Sequence, residues 1–73
     1  MTYERAVQEL YFWQQGTGGG FQSSLFELFK KADVGNRRKL SMAFPMQAEA
    51  LEDWESAGNC GNDLFRDHGL IKY

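Results

Sequence analysis

Apolar side chains recur through the first fifteen residues at intervals of three and four: Tyr3, Ala6, Val7, Leu10 and Trp13. At about 100° per residue these positions gather on one face, and the spacing predicts a helix over residues 2 to 15. Thr2 offers the hydroxyl such a helix needs at its N-cap. The period breaks at Gly16-Thr17-Gly18-Gly19-Gly20, where the entropy lost by ordering glycine makes continued helix costly. It returns at Phe21. There Phe21, Leu25, Leu28, Phe29 and Ala32 share a broad apolar face, which predicts a second helix over about 21 to 32, with Ser23 or Ser24 as a cap slightly inside it.

Asp33 suits the N-cap of a third, shorter helix running through Leu40 and Ala43. Pro45 disfavours helical geometry at Phe44 and suits the first turn of a fourth helix, Pro45 to about Ala57, with Gly58 as its stop. That helix is expected to turn Ala48, Leu51 and Trp54 to the core and Glu49, Glu52, Asp53 and Ser56 away from it. Asn59-Cys60-Gly61-Asn62 has turn composition, Asp63 to His68 suits a last turn of helix closed by Gly69, and Leu70 to Tyr73 forms a short tail. No segment alternates as a strand does. The expected fold class is all-α: a bundle of three to four helices plus a short C-terminal turn of helix, in one domain over residues 1-73.

Length sharpens this picture. A chain of 73 residues has room for one hydrophobic core and hides only about 60% of its unfolded surface. Cys60 is the single cysteine, so no intrachain disulfide helps. Six Phe, three Tyr and two Trp supply the large apolar side chains instead, and argue against disorder. No apolar run reaches the ~20 residues of a membrane span, and the amino terminus lacks a signal-peptide pattern. The expected location is the cytoplasm.

The formal net charge of −2 conceals two blocks of opposite sign. Residues 30 to 39 carry Lys30, Lys31, Arg37, Arg38 and Lys39 against Asp33 alone, while 49 to 55 carry Glu49, Glu52, Asp53 and Glu55. The basic block is the candidate nucleic-acid footprint, within a helix-turn-helix reading of residues 21 to 44. Arg37, Arg38 and Lys39 point about 100° apart on a helix, however, which works against a single stripe. Within the acidic block, Glu49, Glu52 and Asp53 are the candidate contact for a basic partner. Phe12 and Phe26 fall off the apolar faces of their helices, so each is either covered by the rest of the fold or an aromatic anchor for a partner.

Catalytic and metal-binding patterns fall short. The glycine-rich stretch lacks the Gly-Lys-Ser/Thr ending and preceding strand of a phosphate loop. Cys60 and His68, even with Asp63 or Asp67, supply neither four zinc ligands nor an activated thiol with its orienting groups. The carboxylates of helix 4 carry no sign that one is buried and another solvated, as paired acid–base work needs. No enzyme activity, metal or cofactor is expected.

Through Leu25-Phe26-Glu27-Leu28-Phe29-Lys30-Lys31-Ala32-Asp33, then Asn36, Leu40, Phe44-Pro45 and Trp54, the chain resembles small uncharacterised helical proteins of bacterial phages and mobile elements. It departs from them at Val34-Gly35, where they tend to have Pro and an acidic residue, so a less firm start to the third helix is expected. The resemblance carries no catalytic residues. It implies a setting in which small acidic proteins bind and block a host machine, anti-CRISPR proteins among them. The expected function is inhibition or modulation of a host protein complex through a helix surface. A nucleic-acid-associated accessory protein and a self-assembling phage structural component are the alternatives.

Overall fold

The computed structural model describes residues 1–71, so Lys72 and Tyr73 of the expected tail lie outside the described residues. Five helices follow one another: α1 (Tyr3–Gln14), α2 (Gly20–Lys31), α3 (Val34–Ala43), α4 (Pro45–Ser56) and α5 (Asn62–Asp67). No strand occurs among the described residues. The all-α expectation holds, with the third helix and the last turn both formed.

Local chemistry sets most of the boundaries. The Thr2 hydroxyl accepts from the Arg5 amide at 3.1 Å, and the Asp33 carboxylate accepts from the Asn36 amide at 2.8 Å. The start of α3 is therefore firmly capped, contrary to the expectation drawn from Val34-Gly35. At the far end of α1 the Gly16 amide donates to the Trp13 carbonyl and the Thr17 amide to the Phe12 carbonyl, with Gly16 at φ +73°. This is the left-handed C-terminal closure that glycine permits. Gly69 and Leu70 close α5 in the same way. The start of α2 departs from expectation: it begins at Gly20 with Gly19 as N-cap, and neither Ser23 nor Ser24 caps it.

The core draws Ala6, Val7 and Leu10 from α1, Leu25, Phe26 and Phe29 from α2, Ala48, Ala50 and Leu51 from α4, and Phe65 from α5. α4 packs against each of the other four helices. Its buried arc is accordingly wider than the sequence stripe suggested, taking in Ala50 and Gln47, while Trp54 is only half-buried. α3 is the opposite case. It buries none of its ten residues, packs against α4 alone among the close helix pairs, and makes almost no contact with α2.

Two expectations about α2 are corrected together. Phe26, a candidate partner anchor, is fully buried, whereas Phe21 and Leu28, expected in the core, are 62% and 50% exposed. The helix is rotated about its axis so that Leu25, Phe26 and Phe29 face inward. Its neighbours explain the choice. α1 and α4 pack on that side, and the Trp13 ring stacks on Phe26 with centroids 5.6 Å apart. Because α3 leans away, the side that carries Phe21 and Leu28 is covered only in part, by the Phe44 ring 5.7 Å from that of Phe21.

Candidate functional site

The divergence of α2 and α3 leaves a groove of about 460 Å³, lined by Leu28, Lys31, Ala32, Asp33, Asn36, Lys39 and Leu40. Leu28, Ala32 and Leu40 give it an apolar floor. Lys31 and Lys39, both exposed, stand on its rim. Asp33 also lines it, but its carboxylate is engaged at the start of α3, where an anion meets the positive end of the helix. On the other side of α2 a second, shallower groove is lined by Trp13, Ser23, Ser24, Glu27, Leu28 and Lys31. Leu28 and Lys31 thus form a ridge shared by both.

Trp13 secures this region to the body of the protein. Its indole N–H donates to Glu27 at 2.9 Å, its ring meets Trp54 edge-on at 6.2 Å, and the Lys30 ammonium lies 5.6 Å from its ring centroid. Such a cation over an indole is attracted by the ring's negative face. The rotation of α2 is thereby held by an aromatic stack, a hydrogen bond and a cation–π contact.

The five basic residues do not form one surface. Lys30 lies over Trp13, and Arg37 ion-pairs with Glu55 of α4. Lys31 and Lys39 flank the groove, while Arg38 lines a different pocket with Val34, Arg37, Ser41 and Glu52. The helix-turn-helix reading fares similarly, because α2 and α3 lack the mutual packing that would set one against the other.

The acidic face of α4 is also divided. Glu49, Glu52 and Asp53 are all exposed, as expected. Asp53, however, accepts a 2.5 Å hydrogen bond from the Tyr3 hydroxyl of α1. Partial burial, that hydrogen bond and the negative charges of Asp53, Glu49 and Glu4 together raise the Tyr3 pKa well above the ordinary phenol value. The sequence gives no sign of this pairing, since Tyr3 and Asp53 lie at opposite ends of the chain.

Phe12 is 40% exposed, with its ring tilted against Tyr11, so it remains available to a partner. The amides of Thr17 and Gly18 in the glycine-rich loop both donate to the Phe12 carbonyl at 3.0 Å, which turns them onto the end of α1 rather than toward solvent. Cys60 is exposed beside Trp54, Glu55, Ala57 and Gly61, whereas the His68 ring sits 5.7 Å from that of Tyr3. Among the described residues no group of three or more His, Cys, Asp or Glu side chains is placed to hold a metal ion. No described helix is long and apolar enough to cross a membrane.

Compared with known protein families, curated proteins and solved structures, the chain matches none of them.

Proposed function

We propose that this chain is a non-enzymatic binding protein that meets a host protein complex with its α2–α3 side and inhibits or modulates it. The observation that carries the reading is the uncovered side of the bundle. Leu28 and Phe21 are at least half exposed there, and Leu28 lines the groove beside α3, a helix that buries none of its own residues. A 73-residue chain has few large apolar side chains to spare from its core. Apolar side chains grouped at the surface beside a groove are the usual mark of an interaction site. The inhibitory role and the phage or mobile-element setting rest on the resemblance over residues 25 to 54.

This places the interface away from the acidic face of α4, where Asp53 is engaged by Tyr3 and Glu55 by Arg37. Affinity capture from bacterial lysate tests the assignment, using tagged wild-type protein, Phe21→Gln/Leu28→Gln, and Glu49→Gln/Glu52→Gln. The wild type is expected to retain a discrete partner that the α2 variant loses and the α4 variant keeps. The reverse pattern would move the interface to α4. Binding to generic duplex DNA at physiological salt is expected to be weak, because the cations face different ways. Submicromolar DNA binding that falls steeply with salt and disappears on changing Lys30, Lys31 and Arg37 to Ala would favour the nucleic-acid alternative.

A further inference from the structure

We infer that the groove between α2 and α3 receives an acidic amphipathic helix of the partner, its apolar stripe on Leu28, Ala32 and Leu40 and its carboxylates beside Lys31 and Lys39. The inference rests on the reading of the α2–α3 side as the interface. Two diverging helices leave a trough whose walls are ridges of side chains, and a third helix seats in such a trough by packing ridges into grooves. The floor is aliphatic and open to solvent, as the half-exposed Leu28 shows, so it suits a row of apolar side chains from a helix face. An acyl chain would want an enclosed slot instead.

Charge decides which helix fits. Among the described residues neither Lys31 nor Lys39 has an ion-pair partner, and the one carboxylate in the groove, Asp33, is occupied as the cap of α3. A ligand carrying Glu or Asp on the flanks of its apolar stripe would meet these two cations at the rim and be both steered and oriented by them. A basic helix would meet two ammonium groups there with only the single charge of Asp33 to offset them. A second copy of this chain does not supply the ligand: its own acidic helix, α4, already buries Ala48, Ala50 and Leu51 in its core.

The test titrates the isotope-labelled full chain, followed by nuclear magnetic resonance, with a synthetic helical peptide of about four turns. The peptide carries Leu at i, i+3, i+4 and i+7 and Glu on the flanking positions; a matched peptide has Lys in place of every Glu. The Glu peptide is expected to bind at least tenfold more tightly than the Lys peptide. Its shifts should centre on Leu28, Lys31, Ala32, Asn36, Lys39 and Leu40. Lys31→Glu/Lys39→Glu should reverse the preference between the two peptides while leaving the thermal melt unchanged, since both residues are exposed. Should that pair melt early, Lys31→Gln/Lys39→Gln replaces it and should abolish the preference.

Equal binding of the two peptides, or shifts centred on α4, would overturn the inference. So would the same shifts produced by laurate with none from either peptide, which would make the groove a site for a small amphiphile. If the peptides fail but Phe21→Gln/Leu28→Gln still abolishes partner capture, the occupant is wrong and the interface stands. If that variant also captures normally, the functional reading falls with it.

Discussion

A methyl group at residue 61 would collide with the Trp54 indole, and the backbone there already has φ +90°, a region that side chains with a Cβ adopt only at a cost. Gly61→Ala should therefore destabilise the protein by about 3 kcal/mol or more, combining left-handed strain with overpacking. Gly16→Ala, at φ +73° with open space around its Cβ, should cost only about 1–2 kcal/mol. Urea melts of the two variants separate these causes. Tyr3 gives a second prediction. Its raised folded pKa means that the unfolded chain ionises first, so its contribution to stability is complete below about pH 10 and is lost as pH climbs further. Denaturant midpoints at pH 8 and pH 11 should fall less in Tyr3→Phe than in the wild type. Glu49→Gln and Glu52→Gln should each change stability by under about 0.5 kcal/mol, whereas Asp53→Asn also weakens the bond to Tyr3 and should cost more. Thr2, Asp33, Pro45 and Gly69 were legible as boundary residues because capping and closure act within a few positions. The Tyr3–Asp53 and Gly61–Trp54 contacts join residues whose nearness only the packing creates.

At the scale of elements, the periodicity of the apolar positions located α1, α2 and α4 to within a residue or two, and the punctuation by Asp33, Pro45 and Gly58 located α3 and the end of α4. What it did not settle was how each helix is rotated. α2 carries five apolar residues from Phe21 to Phe29, more than one face can hold, and the sequence stripe favours Phe21 and Leu28 over Phe26. The stack on Trp13 and the absence of α3 from that flank reversed the choice. The groove follows from the same rotation, so two of its three floor residues, Leu28 and Ala32, lie on the stripe the sequence turns to the core, while its cationic rim is visible as a charge block. α3 should exchange its amide hydrogens at least about tenfold faster than α1 or α4, since elements with few buried contacts open most readily. Comparable protection in all three would mean that the Arg37–Glu55 pair and the Asp33 cap hold α3 better than their exposure suggests.

Across the whole molecule, stability concentrates on the side formed by α1, α4 and the inner face of α2. Folding free energies of about 0.05–0.15 kcal/mol per residue leave a chain of this length little in reserve. Phe26→Ala, which removes a fully buried aromatic, should cost about 3–5 kcal/mol and leave the protein largely unfolded near 37 °C. Trp54→Ala should cost less, because the indole is half-buried, and a thermal melt ranks the two. The remaining side of the bundle contributes little to this total, and there the helix without buried residues has an evolutionary meaning. Most mutations in α3 escape the main filter on protein sequences, the loss of folding stability, so its positions other than Leu40, which packs against the core, can drift and be selected almost independently of it. If the α2–α3 side is the interface proposed above, a lineage facing a changing target can then retune recognition by substitutions in one helix and inherit the scaffold unaltered.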